Sequence, residues 1–361
     1  MTDNSITVIG SGATALAAAA YLTIKGKQVI LCDREQGQRF RDIEDGGGIT
    51  LEGVMETGSP GLPFRMTDDC QDAVGNARRI LVCVSADRHR EIADLCSPYA
   101  REGQTYVISP GNLGAVIFVD RFYKKGKKGV TAAELVGNIC PCRITGRARV
   151  LMAMPVGEKR IAAFPACRTQ MAIQAFEDVF RFHAARNIFE GMLNSPNLVI
   201  HVAGTLLNTT AIEKMGQDFA LYTNGLTPSL LRCADAVEKE RNQVLRELDY
   251  SAYASTVSKM HQMMDYGHYD ELNYFRSLKG PASLEERYIS EDASCSMALL
   301  VSLAEEYGIE VPVCKALITI ANTVNGFNYY EHGRTLKNMG MSGMSRENLN
   351  QYLETLTMAG G

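Results

Sequence analysis

Residues 5–33 read SITVIGSGATALAAAAYLTIKGKQVILCD. The β-branched run ITVI at 6–9 has the character of a short buried strand. Ala13 opens an alanine-rich stretch that predicts a helix ending at Gly26, and QVILC at 28–32 predicts a second strand. Between the first strand and the helix stand Gly10, Gly12 and Ala15, in G-x-G-x-x-A spacing. That spacing alone is a weak signal, but directly after a strand and at a helix start it has the context it needs. Gly10 permits the tight turn, Gly12 lets the backbone approach a pyrophosphate, and Ala15 keeps the helix close to the sheet. The free N–H groups beginning at Ala13 would then meet phosphate oxygens.

Asp33 follows the second strand, 21 residues past Gly12. An acidic side chain there accepts hydrogen bonds from the adenosine ribose hydroxyls and repels a 2′-phosphate, so NAD is the favoured cofactor. Arg34 keeps NADP open, because its guanidinium can turn toward such a phosphate. Asp33 and Arg34 can equally do no more than cap a loop. Flavin enzymes share the same opening; a helical second half without a mixed substrate-binding sheet argues against FAD.

Outward from this unit the first half keeps alternating. RILVCV at 79–84 and TYVIS at 105–109 read as strands, with a helix near 87–97. Segments 131–136, 148–153 and 160–164 read as strands extending the same domain, followed by a long helix from about Thr169 to Phe189. Strand, helix, strand at this spacing predicts a parallel sheet covered by helices. After Asn194 strand signals fade. Periodic stretches at 228–249, 251–265, 292–307, 312–327 and 345–355 predict helices, with Pro228 and Pro312 in first turns and Gly308 as a stop. The expected architecture is an α/β Rossmann-type nucleotide-binding domain over 1–190 followed by a mostly α-helical domain over 191–361.

Composition narrows the class. The 361 residues carry a formal net charge of −4 with Lys and Arg dispersed, whereas a nucleic-acid binder is usually more basic. YKKGKKG at 123–129 reads as a solvated turn. No stretch has the apolar length of a membrane span. The opening MTDNSITVIGSG has neither a basic leader nor a signal-peptide core. The ten cysteines are scattered, mostly in apolar runs, as suits reduced thiols. A cytoplasmic protein with no nucleic-acid or membrane partner is expected. A homodimer is allowed, although nothing in the sequence sets the oligomeric state.

NLVIHVAGTLLNTTAIE at 197–213 places His201 after an apolar run and before a Gly-Thr pair that reads as a turn. Such a histidine is most often an ordinary boundary residue. Thr205, Asn208, Thr209 and Thr210 offer a polar lining beside it. His261 and His268 lie seven apart with Asp265 between them, but no closing ligand pattern is present and no metal is expected. Met260, Met263 and Met264 fit a core or a flexible pocket wall.

Several stretches resemble the opine dehydrogenase family, the octopine and nopaline dehydrogenase group. They are SPGNLGAV at 109–116, PCRITGRARVLMAMPVGEKRIAAFPA at 141–166, the His201 segment, YTNGLTPSLLRCADAVEKER at 222–241, GPASLEERYISED at 280–292 and EHGRTLKNMGMSGMS at 331–345. The resemblance spans nearly the whole chain. It departs from the family at Ala15, where glycine is usual, and at Val202 and Ala203, where a proline-containing stretch would be expected. It implies an active site in a cleft between the two domains, with His201 as catalytic acid–base and Asp292 as its partner. It also implies that Arg287 grips an amino-acid carboxylate. On residue type alone Asp292 is as good a helix cap, and Glu291 is a neighbouring competitor. Thr205, Asn208 and Tyr222 complete the expected substrate-binding set, with Tyr288 and Thr227 as further pocket walls. Lys279, Arg232 and Arg276 are weak candidates for a second cation.

The expected activity is that of an NAD(P)-dependent oxidoreductase acting on CH–NH bonds. It would reversibly condense a 2-oxo acid, pyruvate first, with an amino acid to give a secondary amine. Two other classes remain: a ketopantoate-reductase-like or hydroxy-acid dehydrogenase, and a non-enzymatic NAD(H)-binding regulator.

Overall fold

A computed structural model of the chain describes residues 4–34, 37–55, 61–264 and 272–357. The chain divides into two compact units, Met1–Ile188 and Phe189–Gly361.

The described residues of the first unit form eleven strands: β1 (Ser5–Ile9), β2 (Gln28–Cys32), β3 (Thr50–Gly53), β4 (Arg65–Thr67), β5 (Arg79–Val82), β6 (Thr105–Ile108), β7 (Thr131–Leu135), β8 (Cys142–Gly146), β9 (Arg149–Met152), β10 (Lys159–Phe164) and β11 (Phe182–Ala184). Eight form one sheet in the order β11-β10-β7-β6-β5-β1-β2-β4. Strands β1, β5, β6 and β7 are buried along their whole length, which is why they are largely apolar and lack the in–out alternation of a half-exposed strand. Pairing is parallel except between β10 and β7, where Ile161 faces Leu135 antiparallel. The sheet is therefore mixed, not purely parallel.

Strand β9 departs from expectation. It belongs to a separate three-stranded sheet, β3-β9-β8. This small sheet explains the helix Ala13–Ile24, which is apolar on every side and buries Ala15 through Leu22. The helix packs on β1 and β2 with one face and on β3, β8 and β9 with the other. A helix without a polar stripe needs such a sandwich.

The long helix expected from Thr169 to Phe189 is three elements: a helix Thr169–Phe176, strand β11, and a helix Ile188–Leu193. Phe182 pairs with Lys159 at the sheet edge and stacks on Phe180 with ring centroids 5.3 Å apart. Sheet pairing and aromatic packing override local helical propensity here.

The second unit is helical, and its core includes Val199, Phe219, Leu230, Met260, Met263 and Tyr288. Pro228 and Pro312 begin the helices Pro228–Glu247 and Pro312–Asn325. Gly308 ends Ala298–Tyr307 in the left-handed region at φ 68°. The expected turn after His201 is absent: the helix Pro196–Leu206 runs straight through Gly204 and Thr205. Gly204 serves packing, since a Cβ there would sit 3.1 Å from the Leu221 methyls. Arg241 is buried and pairs with Glu238 at 3.0 Å. The Glu238 carboxylate also accepts from Thr256 N and Ser255 Oγ, tying two segments together.

Candidate active site

At the end of β1, Gly10 has φ 116°, and a Cβ there would lie 2.4 Å from the Cys83 carbonyl oxygen. Only glycine allows the ends of β1 and β5 to approach so closely. Gly12 is different: a Cβ at that position meets nothing within 4 Å. It precedes the helix Ala13–Ile24 and has no side chain to cap it. The helix start therefore has open space beside Gly12 and no capping side chain, while Ala15 is wholly buried. This bare helix start behind a glycine cradle fits a pyrophosphate.

Asp33 directly follows β2, almost fully buried. Its Oδ2 accepts from Ser11 Oγ at 2.9 Å and lies 3.6 Å from Arg88 Nη1. Arg39 donates to the Ser11 carbonyl at 2.7 Å. Arg34 is exposed in the following turn. The acidic group and the nearby cations thus fit either a ribose hydroxyl or a ribose phosphate.

Sequence reasoning missed the framework under the 109–114 segment. Asn112 and Leu113 both have positive φ, at 50° and 62°. Glu134, on the otherwise apolar β7, accepts from Leu113 N at 3.1 Å and Ala115 N at 3.0 Å, holding that turn. Ser109 Oγ donates to Asn138 Oδ1 at 3.0 Å, and Asn138 Nδ2 donates to Thr14 Oγ1 at 2.9 Å. These bonds link the turn to the first turn of the glycine-motif helix. A charged residue within TAAEL was the available signal.

In the second unit, His201 sits mid-helix. Its Nδ1 lies 2.7 Å from Asp292 Oδ2, and its Nε2 lies 3.3 Å from the Tyr222 hydroxyl. Tyr288 lies flat on the imidazole, with centroids 3.8 Å apart and planes 3° from parallel. The exposures of His201, Asp292 and Tyr288 are each 4 %, and that of Tyr222 is 6 %. Asp292 stands just before the π-helical turn Ala293–Met297 but makes no side-chain cap; its carboxylate goes to the histidine. Tyr222 belongs to a second π-helical turn, Leu221–Gly225, and packs on Phe275 at 4.4 Å. Such widened turns are frequent at functional sites.

Because a carboxylate only accepts, Nδ1 carries the proton toward Asp292. Nε2 then faces the Tyr222 hydroxyl without that proton. In His–Asp arrangements of this geometry a carboxylate can fix the ring tautomer and stabilise an imidazolium.

Arg287 opens the short helix Arg287–Ser290, half-buried, with its guanidinium carbon 5.5 Å from the Tyr288 ring centre. Tyr288 therefore touches both His201 and Arg287. Thr205 is fully buried one helical turn past His201, and its hydroxyl has no hydrogen-bond partner among the described residues. Asn208 donates its amide to the Gly204 and Gly225 carbonyls at 2.8 and 3.2 Å, which binds the helix end to the Tyr222 turn. Thr227 caps the helix Pro228–Glu247 through Leu230 N. Lys279 pairs with Asp218, and Arg232 bonds Ser229. Neither is brought to the histidine by any of these contacts. His268 and Asp265 lie outside the described residues. Among the described residues, no group of three or more His, Cys, Asp or Glu side chains is arranged to hold a metal ion. No helix among them is long and apolar enough to cross a membrane.

Residues 184–325 match the model of the NAD/NADP octopine/nopaline dehydrogenase alpha-helical domain. An opine dehydrogenase from Arthrobacter sp. (strain 1C) is 29% identical over 357 residues, covering 96% of this chain and 98% of that one. The chain is homologous to the opine dehydrogenases. An octopine dehydrogenase structure solved with NADH and pyruvate superposes at TM-score 0.71 with 16% identity, covering 99% of both chains. A ketopantoate reductase from Ralstonia eutropha JMP134 superposes at 0.61 with 14% identity, covering 89% of this chain and 98% of that one. These likenesses establish the fold, a Rossmann-like α/β unit followed by a helical one. Homology to the opine dehydrogenases supports NAD(P)-dependent oxidoreductase activity.

Proposed function

We propose that this protein is an opine dehydrogenase that condenses a 2-oxo acid, pyruvate first among them, with the amino group of an amino acid. The product is an N-(carboxyalkyl)amino acid. The first unit would hold the dinucleotide through Gly10, Gly12, Ala13 and Ala15. Asp33 at the ribose end favours NADH, while Arg34 leaves room for NADPH. The nicotinamide, when bound in its reduced form, supplies hydride to the substrate imine carbon.

The observation that carries this reading is the buried His201–Asp292 pair at 2.7 Å, roofed by Tyr288. The chemistry needs a group that both takes and returns a proton near neutral pH, and imidazole is suited to it. His201 removes a proton from the incoming ammonium, freeing the amine to attack the oxo carbon. The same proton then goes to the carbinolamine oxygen, the C–O bond breaks, and water leaves. The resulting C=N carbon is the one reduced. Asp292 holds the ring and steadies its charged form throughout. Arg287 grips the amino acid's carboxylate through its planar fork. Thr205, one helical turn past His201, would add a buried hydroxyl with no partner among the described residues.

The test is NADH oxidation measured across several 2-oxo acids and the common amino acids, with product masses. Oxidation that needs both partners supports the reading. Oxidation by a 2-oxo acid alone would replace it with a hydroxy-acid dehydrogenase of the ketopantoate reductase kind. NADH binding with no turnover anywhere would leave a nucleotide-binding regulator.

A further inference from the structure

We propose that Tyr222 is a proton relay between His201 and the reacting substrates, an inference that rests on the opine dehydrogenase reading. Nδ1 of His201 is committed to Asp292, so proton exchange must use Nε2. The Tyr222 hydroxyl faces Nε2, 3.3 Å away. Tyr288 covers the ring at 3.8 Å, and the imidazole is 4 % exposed. A buried histidine reaches a substrate more readily through a hydroxyl than by moving itself, because its helix and its carboxylate partner hold it in place.

The phenol is held equally well. Its ring packs on Phe275. Its π-helical turn is pinned by Asn208 Nδ2 to the Gly225 carbonyl at 3.2 Å, by Asn224 Oδ1 to Ala220 N at 2.9 Å, and by Thr223 Oγ1 to the Arg276 carbonyl at 2.6 Å. A hydroxyl both donates and accepts, which a relay requires and a mere contact does not. In dehydration the Tyr222 O–H bond breaks as its proton passes to the carbinolamine oxygen. The imidazolium N–H proton simultaneously passes to Tyr222 Oη, and water departs with the C–O electron pair. Tyr222 ends unchanged and His201 ends neutral. Deprotonation of the ammonium runs the same chain in reverse.

Tyr222→Phe removes the relay and keeps the ring. With saturating NADH, kcat should fall by on the order of 10²-fold, the usual worth of positioned proton transfer. KM for both carboxylate substrates should stay within about threefold, since uniform binding is untouched. The wild-type solvent proton inventory should be curved, with two protons in flight. A kcat unchanged with a raised KM would make Tyr222 a substrate contact and overturn the relay. A higher kcat would make it a plug and overturn it equally. As a second arm that keeps fold and hydroxyl, 3-fluorotyrosine at position 222 should shift the pH profile of kcat; an unmoved profile overturns the relay. Wild-type protein inactive on every oxo acid and amine pair would defeat the parent reading itself. An active wild type with an indifferent Tyr222→Phe variant defeats only the relay.

Discussion

Nδ1 of His201 lies 2.7 Å from Oδ2 of Asp292, although 91 residues separate them. The histidine comes from the middle of one helix and the carboxylate from the residue before a π-helical turn. Asp292→Asn keeps the volume but replaces the carboxylate with an amide that holds the imidazolium poorly and permits the wrong tautomer. At saturating NADH and substrates, kcat should drop by roughly 10²- to 10⁴-fold, with NADH affinity by fluorescence titration nearly unchanged. Full activity in this variant would remove Asp292 from the mechanism.

Arg287 shares the Tyr288 ring with His201. Arg287→Ala should raise KM for the amino acid about 10- to 100-fold, the loss expected for one charge-assisted pair. Steady-state kinetics with each substrate varied in turn will separate this from cofactor effects. A defect confined to NADH binding would contradict the assignment.

Gly10 and Gly12 should respond differently to a side chain. Gly10→Ala forces a Cβ to 2.4 Å from a backbone oxygen at φ 116°, and should lower the melting temperature sharply. Gly12→Val places its Cβ where nothing lies within 4 Å, and should leave melting near the wild-type value. Its isopropyl group would occupy the space proposed for the pyrophosphate, so NADH should no longer raise the melting temperature. Undiminished NADH stabilisation in Gly12→Val would move the nucleotide site elsewhere.

Asp178 provides a pH-dependent contribution in the first unit. Burial pushes its carboxyl pKa up, but Lys27 at 2.6 Å and Arg79 at 2.7 Å outweigh this and hold it below its usual value of 3.8. Its stabilisation is therefore present above the unfolded value and is lost as pH falls through the folded one, below about pH 4. Asp178→Asn should lower thermal stability at pH 7 and narrow the wild-type gap at pH 3. A difference between wild type and variant that is the same at both pH values would refute this.

The strand–glycine–helix opening was legible because its signals are local: a β-branched run, two glycines and an alanine-rich helix. The helical second unit was legible for similar reasons, with Pro228, Pro312 and Gly308 marking its helix ends. Strands β3, β4 and β8 were not seen. They are three to five residues long and take their stability from pairing with distant segments. Phe182 was read into a helix because its edge pairing to Lys159 leaves no local trace. Gly204 suggested a turn, whereas it makes room for Leu221. Residue types alone left Asp292 and Glu291 equal; the choice between them came from family resemblance. The flat stacking of Tyr288 on His201 had no sequence signature, since spacing does not report ring orientation.

The most direct measurement is wild-type NADH oxidation with a fixed 2-oxo acid, with and without each amino acid, followed by product mass. The account predicts oxidation that depends on an amino acid. It also predicts a product whose mass is that of the two substrates joined, less one oxygen. Oxidation at the same rate without any amine, yielding the 2-hydroxy acid, would contradict it.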